Sequence, residues 1–327
     1  VCAMEAVETL LTEGFVPARD LYLSFGHDEE VGGTGAQAIV AHLEAQGIRP
    51  DFVLDEGGAV VEGVFPGVSR PLAMVGVAEK GVTDVMLSVR SPGGHSSTPP
   101  RFGAAWRLAR AILRLEKHPF PGSFPDATRV MFRTLAPHAK GALGFILKNL
   151  WLTEPLLARV FGAKGGEMNA MCRTTTVVTM LEGSPAANVL PAVAKAIVNI
   201  RIAIGSSVKD VMARLADIID DPLVETSVLL PGEPSPVSKM DDGRFATLGQ
   251  VVHGSYPDAI VTPYVVMGGT DARHFARISD GVYRFSPFTL SRAERASMHA
   301  VNEALPLASL EKGVDFYTRL ARQLLAG

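Results

Sequence analysis

Leu21-Tyr-Leu-Ser-Phe25 runs straight into Gly26-His-Asp-Glu-Glu-Val-Gly-Gly-Thr-Gly35, and Phe52-Val-Leu54 ends in a similar way at Asp55-Glu56-Gly57-Gly58. Each apolar run stops at an acidic, glycine-containing turn. A short apolar run bounded by turn residues reads as a buried strand. Between the two, residues 36–47 carry helical spacing and stop at Gly47, as a helix C-terminus does. Strand, polar turn, helix, strand is a βαβ unit, and such units build mostly parallel sheets with covering helices. These sheets gather functional groups at the carboxyl ends of their strands, where both acidic turns lie.

Outward from this unit, Val1, Met4, Val7, Leu10 and Leu11 recur at helical spacing, and Gly14 closes a helix over 1–13. The texture changes near residue 76. Val82–Val89 alternates like a half-buried strand, a helix is expected at 103–117, strands at Thr174–Met180 and Ala196–Ile204, and a helix at 207–219. This order resembles a small antiparallel α+β sandwich. From about residue 235 the βα texture returns, with a helix at 242–252, a strand at 258–266, a glycine turn at 268–270 and a closing helix at 306–325. The expected architecture is one α/β domain of residues 1–75 and 232–327, with a mostly parallel sheet. An inserted α+β lid and dimerisation domain of residues 76–231 interrupts it. The apolar stretch Gly141–Phe161 contains Lys148, Glu154 and Arg159. It reads as a helix pair that packs within the second domain, lines an acyl-chain groove or touches a membrane surface.

The length of 327 residues fits two domains. A net charge of −3, from 31 basic and 34 acidic side chains, argues against nucleic-acid binding. Two cysteines, Cys2 and Cys172, make no disulfide framework, and no apolar run is long enough to span a membrane. The chain opens at Val1 inside a helical pattern, so a preceding segment is expected to be missing from it.

Asp28, Glu29 and Glu30 repel one another unless they are solvated or surround a cation. With Asp55 and Glu56 at the next strand end they form a hard-ligand pocket suited to a divalent metal. Histidine shifts the preference towards zinc, and His27, His95, His274 and His299 lie in glycine-rich or polar contexts. In Ser91-Pro-Gly-Gly-His-Ser-Ser-Thr-Pro-Pro100, His95 follows two glycines that let a ligand approach the backbone. In Met267-Gly-Gly-Thr-Asp-Ala-Arg-His-Phe275, Arg273 suits a bidentate grip on a carboxylate; the plainer reading is a local ion pair with Asp271. In Met298-His-Ala-Val-Asn-Glu303, His299 precedes the last helix and could meet the carboxylates in space.

Together with Ala187-Asn-Val-Leu-Pro191, these motifs resemble, in order and along essentially the whole chain, the M20 metallopeptidases and among them the carboxypeptidase S branch. That branch includes enzymes that make and hydrolyse N-fatty-acyl amino acids. The resemblance implies a di-zinc hydrolase of amide bonds adjacent to a free carboxylate, acting on a peptide or N-acyl amino acid. It makes Glu29 the general base for a metal-bridging water. It places Glu30 and His299 on one zinc and Glu56 on the other, with the adjacent Asp55 as a substitute. His95 from the inserted domain would stabilise the oxyanion, across a homodimer interface. Asn188 and Arg273, with help from Arg201, would hold the substrate carboxylate.

The chain departs from that pattern at one end. The family's His-x-Asp motif and its bridging Asp are expected ahead of Val1, and no histidine occurs before His27. Two zinc ions per subunit in the complete pattern therefore become at most about one here. Other expectations stay open: another M20 deacylase of the acylase, acetylornithine deacetylase or desuccinylase type, or a non-catalytic binding or dimerisation protein.

Overall fold

The computed structural model describes residues 1–326. Its larger sheet runs Val53–Asp55, Val282–Arg284, Leu72–Glu79, Val60–Val61, Thr289–Leu290, and Ile260–Val266 also pairs with Leu72–Glu79. Three of its pairings are parallel and two antiparallel, so the sheet is mixed and mostly parallel. Its central strand, Leu72–Glu79, is buried on both faces because its alternate residues feed two cores. Ala73, Val75 and Val77 pack with Leu248, Val252, Phe316 and Leu320. Leu72 packs on the other face with Phe124, Met131, Phe132 and Ile260. Parallel strands covered by helices on both sides carry this kind of near-continuous apolar run.

The same chain then crosses into a second sheet. Leu72–Glu79 continues through Lys80 into Gly81–Arg90. There it joins an antiparallel sheet ordered Thr175–Glu182, Val193–Ile202, Gly81–Arg90, Val224–Leu230. Val193–Ile202 alternates strictly in burial. Its inward residues Ala194, Ala196, Val198, Ile200 and Ile202 meet Leu108, Leu115, Val211 and Leu215. Those four come from the helices Ala104–Lys117 and Val208–Ile219. Lys80, at the crossing, is buried and donates to the carbonyls of Ala170 at 3.0 Å and Arg173 at 2.7 Å. Burial pushes its ammonium down to about 8.

The helices expected near 1–13, 36–47, 103–117, 207–219 and 306–325 form as Cys2–Thr12, Gly35–Ala45, Ala104–Lys117, Val208–Ile219 and Leu307–Leu325. Leu21–Phe25 does not form the expected strand: it makes no ladder among the described residues, and Leu21, Tyr22, Leu23 and Phe25 are exposed. An apolar run of this kind is stable as a strand only with a neighbour on its edge and cover on its faces. The expected place of Gly141–Phe161 in the second domain also changes. The helices between 126 and 172 lie on the larger sheet, where Phe124, Phe132 and Phe161 pack edge-on at centroid distances of 4.9, 5.4 and 5.8 Å.

Candidate active site

The turn at 26–35 divides its carboxylates between structure and site. The Asp28 carboxylate accepts the Thr34 N–H at 2.9 Å and the Gly35 N–H at 3.1 and 3.2 Å. It thereby satisfies free donors at the start of helix Gly35–Ala45. Gly33 and Gly35 are required by this wrap, since a Cβ on either would fall 1.9 or 2.4 Å from an Asp28 oxygen. Glu29-Glu30-Val31 form one 3-10 turn, with Glu29 half-buried and Glu30 exposed. At the next strand end the Glu56 N–H donates to Asp55 Oδ1 at 2.9 Å, while Asp55 Oδ2 is buried without a hydrogen-bond partner.

The two turns face one another. Burial raises the Glu29 carboxyl, and the charges of Glu56, Glu30, Asp271 and Asp55 raise it further. Burial also raises Glu56, reinforced by Asp55, Glu30 and Asp271 and opposed by His299. Asp271 is raised by burial and then by Asp55, against Arg273. His299 Nδ1 stands 3.8 Å from Glu30 Oε1, on a backbone with φ of 60°. The structure thus brings Glu29, Glu30, Asp55, Glu56 and His299 together and adds Asp271. The sequence offered Asp271 only as a partner for Arg273; spacing alone cannot tell which of two neighbours a carboxylate faces.

No ion pair joins Arg273 to Asp271 among the described residues. Arg273 Nε donates to His274 Nε2 at 3.2 Å, and burial together with the Arg273 charge lowers His274. Beneath this turn lies a buried ion pair. Glu79 Oε2 accepts the Thr270 N–H at 2.7 Å and its hydroxyl at 3.1 Å, and Arg284 donates to Glu79 Oε1 at 3.2 Å. Arg284 is also the residue in register with Asp55. One buried pair therefore ties the 268–271 turn and the Asp55-Glu56 turn to the central strand.

The remaining motif residues gather elsewhere. Gly94–His95 pairs with Val189–Leu190, and the Ser96 N–H donates to the Asn188 carbonyl at 3.0 Å, so His95 and Asn188 share one exposed ribbon. The Ser97 N–H donates to His95 Nδ1 at 3.2 Å, which assigns the proton of the neutral ring to Nε2. Arg201 is half-buried on the strand Val193–Ile202, at one of the positions that alternate with the buried ones, near enough to Lys80 to lower it. Among the described residues no hydrogen bond or ion pair links His95, Asn188 or Arg201 to the carboxylates.

The donor set fits a divalent cation in kind: several oxygens that repel one another, one imidazole, and a buried Asp55 oxygen without a partner. Among the described residues the side chains do not close into a group of three around one point.

The chain matches the sequence model of peptidase family M20/M25/M40 over residues 1–323. It is 37% identical over 323 residues to the probable carboxypeptidase S-like 2 of Dictyostelium discoideum, covering 98% of this chain and 62% of that protein. It is 38% identical over 320 residues to the N-fatty-acyl-amino acid synthase/hydrolase PM20D1 of Bos taurus, covering 96% and 63%. The chain thus spans a little under two thirds of the length of these relatives. In fold it resembles the M20 family metallo-carboxypeptidase Sso-CP2 from Sulfolobus solfataricus, with a TM-score of 0.65 at 15% identity over 98% of this chain and 74% of that one. The order of the motifs, the facing acidic turns and the match along nearly the whole chain agree: the chain belongs to peptidase family M20/M25/M40.

Proposed function

We propose that this chain carries the catalytic carboxylates of a zinc-dependent hydrolase of amide bonds next to a free carboxylate, acting on peptides or N-acyl amino acids. The observation that carries this reading is the crowding of Glu29, Glu56 and Asp271, each raised by burial and by its acidic neighbours. Such a set is unfavourable unless a cation joins it. Glu30, His299 and Glu56 would hold zinc, with Asp55 as the alternative to Glu56. When bound, zinc lowers the pKa of water and polarises the scissile carbonyl.

Glu29 takes the proton of the attacking water and delivers it to the leaving amine. A carboxyl raised by burial suits a group that must both accept and return a proton near neutrality. His95 presents its Nε2–H to the oxyanion, its ring orientation held by Ser97 at Nδ1. Asn188 and Arg273, with Arg201, grip the substrate carboxylate, and a guanidinium provides two parallel hydrogen bonds for that purpose. The four-stranded sheet with its two helices acts as the lid, within residues 76–231, and pairs two copies. Exposed Val177, Met180 and Leu181 on its outer strand Thr175–Glu182 support that pairing. The resemblance to an N-fatty-acyl-amino acid synthase/hydrolase supports N-acyl amino acids as the substrate class.

The test is amino-acid release from an N-acyl amino acid in the presence of zinc, beside the same compound with its carboxylate amidated. Release from the free acid alone is expected, with kcat lowered about 10²- to 10⁴-fold by Glu29→Gln. Release that survives Glu29→Gln, or no zinc-dependent release at all, overturns the reading.

A further inference from the structure

The helix Leu150–Lys164 buries Leu150, Leu157, Ala158 and Phe161 against the larger sheet's helical layer. Its outward positions are 151, 152, 155, 156, 159, 160, 163 and 164, the one-and-three spacing of a single helical face. A face turned to solvent is ordinarily polar. Here it reads Trp, Leu, Pro, Leu, Arg, Val, Ala, Lys, apolar but for the two cations towards its C-terminal end. Trp151 is 83% exposed, Leu152 61% and Leu156 65%, and Phe145, on the preceding helix Ala142–Lys148, is 66% exposed. The first two turns of this outer face thus present a contiguous apolar patch to solvent, with Arg159 and Lys164 following it.

The unpaired charges of residues 140–164 share one sign. Lys140, Lys148, Arg159 and Lys164 are exposed, and none takes part in a described ion pair. The one acid between residues 140 and 164, Glu154, is held by Arg129 at 2.7 and 2.9 Å and leaves no free negative charge within this stretch. Aromatic and aliphatic side chains flanked by unpaired cations match the boundary of an anionic bilayer: the apolar groups enter the acyl region and the cations meet lipid phosphates and carboxylates. A second copy seated on this face would bring the same cations towards one another. We propose that the outward face of Leu150–Lys164, with Phe145, docks the protein on an anionic lipid surface.

The test uses phosphatidylcholine vesicles with and without phosphatidylserine. The protein should sediment with the phosphatidylserine vesicles, less so as salt is raised. In a Trp106→Phe background the emission of Trp151 should shift to the blue on binding. Trp151→Ser with Leu152→Ser and Leu156→Ser, and separately Lys148→Glu with Arg159→Glu and Lys164→Glu, should each lower partitioning at least about tenfold. All six positions are exposed, so far-ultraviolet circular dichroism should match the parent. No binding to either vesicle, or binding untouched by both sets, overturns the proposal. A concentration-dependent dimer abolished by the serine set, without vesicle binding, also overturns it and gives the face to a second copy. None of these readouts involves hydrolysis, so a failure here leaves the catalytic reading standing, and the reverse.

Discussion

Asp28 accepts three backbone contacts from Thr34 and Gly35, while Glu29, one residue on, faces Glu56, Asp271 and Asp55. Neighbouring carboxylates in one turn thus hold opposite roles. Asp28→Ala should cost about 1 kcal/mol of stability, as loss of a helix-start acceptor does, read by urea unfolding. The facing carboxylates behave differently. Glu29, Glu56 and Asp271 sit above their ordinary values, so the folded metal-free chain holds their protons more tightly than the unfolded chain. Their contribution to stability is complete below about pH 4 and is lost as pH rises through the raised folded values. Glu56→Gln, which cannot ionise, should therefore raise the metal-free Tm at neutral pH while weakening zinc binding. A lower metal-free Tm for this variant would contradict the repulsion. At this scale the sequence exposed residue type and position but not direction. The proximity of the Glu29, Glu30, Asp55, Glu56 and His299 motifs was foreshadowed by their acidic and polar turns, whereas the directions of Asp28 and Asp271 were not, because a side chain's partner depends on the turn around it.

Elements are held in place by contacts that no periodicity reveals. Asp221 follows the helix Val208–Ile219 and meets Arg107 of the helix Ala104–Lys117 at 2.8 Å and Arg110 at 3.6 Å. Burial alone would raise its carboxyl, but the Leu223 N–H and Arg107 outweigh burial and hold it below the usual range. Its stabilisation is therefore present above about pH 4 and disappears as pH falls through the lowered folded value, the reverse of the site carboxylates. Asp221→Asn should cost about 3 kcal/mol at neutral pH, with the gap to the parent closing in acid; urea unfolding across pH checks it. Gly58 sits where a Cβ would lie 2.0 Å from the Met74 carbonyl and 2.6 Å from that of Arg284. Both are backbone atoms that cannot swing aside, so Gly58→Ala should cost about 3 kcal/mol and displace the Asp55-Glu56 turn. The amphipathic helices were legible from spacing. Leu72–Glu79 escaped because a strand buried on both faces has no alternation to read, and Leu21–Phe25 misled because an apolar run states a need for neighbours without supplying them.

Across the molecule, two sheets share one continuous chain through Glu79 and Lys80, and the Glu79–Arg284 pair links the 268–271 turn and the Asp55-Glu56 turn to that chain. The βα rhythm and the return of that rhythm after residue 235 made the two-layer plan legible. The packing of residues 126–172 on the larger sheet was not, because it is fixed by the aromatic contacts of Phe124, Phe132 and Phe161. Glu79→Gln should weaken the anchoring of Thr270 and lower activity beyond its cost in stability, read as a fall in kcat with the folded fraction held constant. The proposed function rests on the facing acidic turns binding a metal ion. Calorimetric titration of the metal-free chain with zinc at neutral pH tests it most directly. Binding is expected, weakened at least about tenfold in Glu30→Gln, Glu56→Gln and His299→Ala; no binding, or equal affinity in all three variants, would contradict it.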